Sequence, residues 1–139
     1  MSERPPLATG ATGTATLVVG EDDLASRLTL DPRDTFPPVF ATTRMIGLME
    51  LAAAAAMRGV LGPGELSVGV EVAVRHSAPT PPGARVTATA RFTGMSDKLY
   101  AFEVVAEDEA GEVGRGVHHR AVITAERLVA GSRKRRPAG

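Results

Sequence analysis

The chain contains no cysteine and no tryptophan, and aromatic residues make up only 4% of its 139 residues. The absence of cysteine excludes disulfide bonds, cysteine nucleophiles and thiolate metal sites. Net charge is missing as well, because 16 basic residues balance 16 acidic ones. No overall electric field therefore attracts nucleic acid or a membrane surface, and neither is expected as a partner.

Long hydrophobic runs are also lacking. The longest, residues 39–57, is interrupted by Glu50 and is too short to span a bilayer. The first residues, MSERPPLATG, lack the apolar core of a signal peptide. These features, with 43% hydrophobic residues, predict one cytoplasmic domain over residues 1–139. We expect frayed, solvated ends at about residues 1–10 and 131–139, the latter including the basic run RKRR.

The apolar run itself predicts one long helix from about Thr43 to Gly59. Its alanines have high helix propensity and small side chains, which suits a helix pressed against a sheet. Either Thr42 or Thr43 is a suitable N-cap. Gly47 weakens the helix, so we expect another segment to pack closely at that point.

Alternating segments before and after this helix predict strands. The first, Thr12 to Val19, precedes a loop, and about four more follow the helix; in SVGVEVAVRHSA, Val68, Val70, Val72 and Val74 share one face. One long helix with an antiparallel sheet predicts an α+β fold in which the sheet curls around the helix. Such a sheet has edges to protect, so we expect a homodimer in which two sheets join.

Three histidines are available for chemistry. His76 ends a strand, and on spacing alone a surface role is its more common one. His118 and His119 are adjacent in a strand and therefore point to opposite faces. None of the three has the spacing of a metal ligand set, so neither a metal nor another cofactor is expected.

Three segments together resemble the fluoroacetyl-CoA thioesterase family, which has the hot-dog fold of acyl-CoA thioesterases. They are FPPVFATTRMIGLMELA, SVGVEVAVRHSAPTPPG and GRGVHHRAVI, and with the strands between them they cover most of residues 36 to 125. The resemblance implies hydrolysis of a short acyl-CoA, most specifically fluoroacetyl-CoA, without a cofactor. It also implies site residues: catalytic Thr42, Glu50 and His76, and substrate-binding Phe36, Gly69 and Arg120.

Elementary chemistry supports several routes through these residues. Thr42 and Glu50 are eight positions apart, about 80° around a helix and roughly 12 Å along it, so they bracket a space without touching. His76 has a pKa suited to a general base. Glu50 can orient the imidazole or attack the carbonyl, while Thr42 can attack or only hold the substrate. An activated water is the remaining nucleophile, and the sequence does not choose among these routes.

Two departures from the family predict a looser pocket. Arg33 and Thr35 stand in the loop around Phe36, where the family carries aromatic residues, and Leu51 follows Glu50 where a bulkier aromatic is expected. We therefore expect modest selectivity among small acyl groups. The alternative functions are a hot-dog enoyl-CoA hydratase and a non-catalytic acyl-CoA-binding domain.

Overall fold

The computed structural model describes residues 4–137. Of the ends predicted to fray, at about residues 1–10 and 131–139, residues 1–3 and 138–139 lie outside that range. Within it, five strands and two α-helices follow one another in the order β1 Thr12–Val18, α1 Thr42–Met57, β2 Glu65–His76, β3 Arg85–Ser96, β4 Leu99–Asp108, β5 Gly111–Thr124 and α2 Ala125–Lys134. Short 3-10 turns occur at Glu21–Asp23, Ala25–Arg27 and Arg58–Val60.

The strands form one antiparallel sheet in the order β1-β3-β4-β5-β2. Strands β3, β4 and β5 are joined by tight turns, whereas β1 and β2 occupy the two edges of the sheet. The sheet curls around α1, and the predicted α+β architecture is confirmed. The edge position of β2 matters for the site, because β2 carries His76 at its end and Gly69 near its middle.

The core lies between α1 and the inner face of the sheet. Helix residues at spacings of three and four face inward, as an amphipathic helix requires. Alternate residues of β3 and β4 meet them, so the apolar side chains of both layers are removed from water. The buried helix residues are Met45, Leu48, Met49, Ala52, Ala53 and Met57.

Gly13 on β1 sets the closest approach between the two layers. A Cβ atom added at Gly13 would collide with the carbonyl oxygen of Ala52 and the backbone nitrogen of Ala56. Small residues on both sides therefore allow β1 and α1 to pack backbone against backbone.

Two predictions about α1 are wrong in detail. The N-cap is Ala41, without a side-chain hydrogen bond, and Thr42 is already the first helical residue. The Thr42 hydroxyl is instead hydrogen bonded to His76. At Gly47 an added Cβ atom would have no neighbour within 4 Å among the described residues, so the expected close packing does not occur there.

Strand β2 departs from the predicted alternation. Its pairing with β5 shifts between Gly69 and Glu71, which is a β-bulge at Val70. A bulge adds one residue and exchanges the faces on either side of it. Gly69 pairs with Arg120 and Val72 with His118, both buried on the inner face, so Val68 faces outward while Val72 and Val74 face inward. The single valine face expected over residues 68–74 is therefore wrong.

The second helix, α2, is absent from the sequence prediction. It follows β5 directly, and its last residues, 131–134, lie within the stretch that was expected to fray. None of its residues is buried. Neither helix of the described part of the chain is both long enough and apolar enough to cross a membrane.

Candidate active site

Thr42 and His76 form a hydrogen-bonded pair at the start of α1. Thr42 Oγ1 lies 2.8 Å from His76 Nδ1. The helix begins at Thr42 and β2 ends at His76, so each residue lies at the terminus of a rigid element. The Nε2 atom of His76 is buried and has no hydrogen-bond partner among the described residues. An imidazole with one nitrogen on a hydroxyl and the other unpartnered is arranged to move a proton.

A cavity of about 380 Å³ opens beside this pair. Phe40 also holds the imidazole in place, because its ring meets that of His76 edge to face at 6.5 Å between centroids. Phe36 lines the cavity and is 44% exposed. The complete lining is Ala25, Phe36, Pro37, Val39, Phe40, Thr42, His76, Ser77, Ala78 and Pro79.

Glu50 belongs to a second cluster, further along α1. Its Oε1 atom lies 3.5 Å from Nη1 of Arg120, and 40% of the Glu50 side chain is exposed. Arg120, by contrast, is only 6% exposed. Burial lowers the pKa of Arg120, and the nearby Glu50 carboxylate opposes that shift by favouring the charged form. The expected pairing of Glu50 is present, but the expected burial of its side chain is only partial.

Gly69 provides the room for this second cluster. A Cβ atom at Gly69 would collide with Oε1 of Glu50 and would approach Cε1 of His118 to 3.2 Å. Glycine is therefore needed because the carboxylate and the imidazole already occupy the space in front of β2. In the described structure, the space beside Gly69 is occupied by the Glu50 carboxylate and the His118 imidazole.

Comparison with known proteins decides the family. A family model described as "fluoroacetyl-CoA-specific thioesterase" matches residues 19–126. A fluoroacetyl-CoA thioesterase from Streptantibioticus cattleyicolor is 46% identical over 104 residues, which cover 75% of each chain. The chain belongs to the fluoroacetyl-CoA-specific thioesterase family.

Solved structures extend the likeness to nearly the whole chain. The structure of the fluoroacetyl-CoA thioesterase FlK aligns with a TM-score of 0.89 at 38% identity, covering 96% of this chain and all of that one. A hot-dog-like protein from Thermanaerovibrio acidaminovorans aligns with a TM-score of 0.78 at 21% identity over 94% of both chains, a likeness of fold alone. The predicted hot-dog fold, the family and thioester hydrolysis of acyl-CoA are confirmed.

The six predicted site residues of this thioesterase fall into two groups. Thr42, His76 and Phe36 meet at the cavity. Glu50, Gly69 and Arg120 meet in the second cluster. Among the described residues no hydrogen bond joins Glu50 to His76. Orientation of the His76 imidazole by Glu50, one of the routes left open by the sequence, is therefore not seen within one chain.

The two family departures lie away from the cavity. Arg33 is paired with Asp31 through a hydrogen bond of 2.8 Å, with 88% of its side chain exposed. Leu51 is 61% exposed. Neither residue lines the cavity. Within this chain, neither residue touches the pocket that it was expected to loosen.

Sequence reasoning missed two members of the second cluster. Ser67 accepts a hydrogen bond from Nε of Arg120 at its hydroxyl, over 3.2 Å, and another from Nη2 at its carbonyl oxygen, over 2.9 Å. His118 lies 3.1 Å from Nη1 of Arg120. Because residues two apart in a strand point to the same face, His118 shares a face with Arg120. Once Arg120 is a candidate site residue, this spacing predicts that His118 lies beside it.

Proposed function

We propose that this enzyme hydrolyses fluoroacetyl-CoA and similarly small acyl-CoA thioesters at the cavity beside Thr42 and His76. The observation that carries the proposal is the 2.8 Å contact between Thr42 Oγ1 and His76 Nδ1 at a cavity lined largely by apolar groups. A volume of about 380 Å³ is near the lower end for ligand pockets, which suits a short acyl group. The name of the relative from Streptantibioticus cattleyicolor supports the same substrate class.

The reaction begins with proton transfer between these two residues. Nδ1 of His76 takes the proton of the Thr42 hydroxyl as its oxygen bonds to the thioester carbonyl carbon. Backbone N–H groups at the start of α1 carry the positive end of the helix dipole and favour the negative charge that develops on the carbonyl oxygen. The carbon–sulfur bond then breaks, and His76 returns the proton to the coenzyme A sulfur.

Water completes the reaction by attacking the acyl ester on Thr42. His76 takes a proton from this water and returns one to the threonine oxygen as the free acid leaves. Mass spectrometry of quenched enzyme tests this route, since an acyl group should be attached to Thr42 during turnover. An enzyme that turns over without any acylated species instead uses water directly, with His76 as its base.

We propose that Glu50, Gly69 and Arg120 act on the same substrate from the second cluster. Glu50 keeps 40% of its side chain exposed although Arg120 holds it, so the carboxylate remains reachable. Arg120 has four contacts to protein groups out of five N–H donors in a guanidinium. One donor on Nη2 is left for a carbonyl or phosphate oxygen of the substrate.

We further propose a homodimer joined through the β2 edge. This edge strand exposes apolar side chains, Val70 at 54% and Leu66 at 48%, together with backbone groups that await a partner strand. Light scattering at micromolar concentration should give the mass of two chains. Val72→Lys should yield monomers, whereas Val18→Lys on the opposite edge should not. A wild-type monomer would count against this arrangement.

A cytoplasmic location is proposed as well, since acyl-CoA is made and used there. Cell fractionation checks it.

One assay separates this function from its rivals. Release of coenzyme A from acetyl-, fluoroacetyl- and propionyl-CoA is measured beside hydration of crotonyl-CoA. We expect thioester cleavage with small acyl groups and no hydration. Hydration alone would indicate the hydratase function, and binding without turnover would indicate an acyl-CoA-binding domain.

A further inference from the structure

His118 lies at the centre of the second cluster, and no step of the reaction above uses it. It is 1% exposed, on the inner face of β5. Its Nδ1 atom lies 2.8 Å from the backbone carbonyl oxygen of Glu71, and its Nε2 atom lies 3.1 Å from Nη1 of Arg120. Both ring nitrogens of a fully buried histidine are therefore engaged by specific partners.

These two partners determine where the ring proton lies. A carbonyl oxygen can only accept, so Nδ1 must carry the proton that points at Glu71. A guanidinium can only donate, so Nε2 must present its lone pair to Arg120. We propose that His118 is a positioning residue, whose neutral Nδ1–H tautomer holds the Arg120 guanidinium and directs its Nη1 atom toward Glu50. The inference rests on the proposed roles of Arg120 and Glu50 in the reaction.

The remaining contacts of Arg120 show why such a holder matters. Ser67 binds the far side of the guanidinium, through Nε at 3.2 Å and Nη2 at 2.9 Å. On the near side, Nη1 reaches Glu50 only at 3.5 Å. The contact to the half-exposed carboxylate is thus the longest of the four. Ser67 holds the other two nitrogens of the planar guanidinium, and His118 is the acceptor that holds Nη1 itself at hydrogen-bond distance, 3.1 Å.

The charges around His118 keep it in the neutral form. Glu50 faces it from α1, Arg120 and His119 come from β5, and the Glu71 carbonyl reaches the ring from β2. Burial lowers the pKa of His118 most, and the positive charge of Arg120 adds to this. The Glu71 carbonyl and the Glu50 carboxylate work in the opposite direction, but the pKa stays below its usual value of 6.5. A second cation beside Arg120 is thereby avoided at neutral pH.

Protonation or removal of His118 should release Arg120. A protonated Nε2 would be a donor facing a donor, so the guanidinium would turn away and Glu50 would lose its fixed partner. An amide oxygen at the same place can still accept from Nη1, whereas an alkyl group cannot. His118→Gln and His118→Leu therefore differ in the acceptor and little in size.

The decisive experiment combines these variants with Arg120→Ala. Hydrolysis of fluoroacetyl-CoA is measured in His118→Leu, His118→Gln and, as the matched control, His119→Gln. The control residue is the neighbour on the opposite face, where Nδ1 lies 3.1 Å from Oε1 of Glu71 without hydrogen-bond alignment. A hydrogen bond to a charged group contributes enough that His118→Leu should lower kcat/KM by about tenfold to a hundredfold. His118→Gln should keep most of the activity, and His119→Gln all of it.

The cycle with Arg120→Ala distinguishes positioning from a purely structural role. If His118 acts through Arg120, adding His118→Leu to Arg120→Ala should lower kcat/KM no further. Additive losses in the double variant would overturn the inference. So would equal losses in His118→Gln and His118→Leu, or wild-type activity in His118→Leu.

Nitrogen-15 NMR of the wild-type histidine rings tests the tautomer without any variant. A protonated Nδ1 and a bare Nε2 on His118 are expected at neutral pH, and a protonated Nε2 would overturn the inference even if His118→Leu fails to fold. Failure of the proposed function has a different signature. Wild-type enzyme would then release no coenzyme A from small acyl-CoA, whatever the tautomer of His118.

Discussion

The two polar clusters along α1 differ in how completely their members are held. The first, the Thr42 cluster, consists of Thr42, His76, Phe36 and Phe40. It contains a single hydrogen bond between side chains and leaves a buried imidazole nitrogen without a partner in the described chain. The second, the Glu50 cluster, holds a buried guanidinium through four contacts; its members are Glu50, Ser67, Gly69, His118 and Arg120.

This difference matches two demands of the same reaction. A group that moves protons must face the reacting hydroxyl directly, as Nδ1 of His76 faces Oγ1 of Thr42. A group that stabilises charge must already point in the right direction before the reaction starts, since reorientation costs free energy at the barrier. In the proposed reaction, the Thr42 cluster would meet the first demand and the Glu50 cluster the second. The predictions below test this division by breaking one cluster at a time.

The largest effect is expected from Thr42→Val. This variant keeps the shape of the side chain and removes the hydroxyl, so the proposed nucleophile and the partner of His76 disappear together. Loss of a nucleophile typically costs several orders of magnitude, and we expect kcat to fall by at least about 10³-fold. The neighbouring Thr43→Val is the matched control, because Thr43 is also exposed at the helix start. A Thr42→Val enzyme with more than a tenth of normal activity would show that Thr42 only orients the substrate.

Glu50→Gln should come second. It keeps the size of the side chain but removes the charge that faces Arg120, so folding should persist while turnover is nearly abolished. Removal of a charged group that acts on the substrate is expected to lower kcat by about 10² or more. The control is Glu103→Gln, an acid that pairs with Arg91 on the outer surface. Near-normal turnover in Glu50→Gln would show that the charge of Glu50 has no role in the mechanism.

Phe36→Ala should have a smaller effect, on binding more than on chemistry. Phe36 lines the cavity and is 44% exposed, so its loss opens one wall. Apolar contacts of this kind discriminate by only about 1–3 kcal/mol per methylene. We expect KM to rise for acetyl- and fluoroacetyl-CoA alike with the preference between them kept, on the hypothesis that fluorine acidifies the neighbouring C–H and that His76 removes this α-proton. A preference that collapses in Phe36→Ala would show that fit around Phe36 sets selectivity.

The smallest effect concerns stability against pH. His118 has a folded-state pKa below its usual value of 6.5, so the unfolded chain binds the proton more readily. Its contribution to the free energy of unfolding is therefore complete above about pH 6.5 and is lost as pH falls through and below that value. His118→Gln should flatten this part of the curve of Tm against pH. If Tm depended on pH in the same way in wild type and in His118→Gln, the lowered pKa of His118 would be contradicted.

The sequence predicted the parts of this molecule that follow from local pattern. The long helix and the antiparallel strands arise from apolar periodicity, and the opposite faces of His118 and His119 arise from the period of a strand. Spacing also anticipated that Thr42 and Glu50 would not touch. These features depend on neighbours along the chain, which a sequence displays directly.

What the sequence could not predict depends on contacts between distant segments. The bulge at Val70 adds a residue to β2 that no alternation pattern reveals, and it moves the following valines to the other face. The hydrogen bond of Thr42 joins it to His76, which is 34 positions away. Ser67 was missed because a serine in a strand carries no signal until the Arg120 side chain reaches it.

The approach of Gly13 to α1 also decides where the enzyme can be redesigned. A protein engineer who wants a longer acyl chain accommodated needs a wall that can be moved. The helix offers none where it meets β1, because any side chain at Gly13 would strike the backbone of Ala52 and Ala56. The loop before α1 is different, since Leu30 is fully exposed and Phe36 nearly half exposed. Libraries that vary residues 28–39 and spare the helix should therefore yield folded enzymes with altered substrate range.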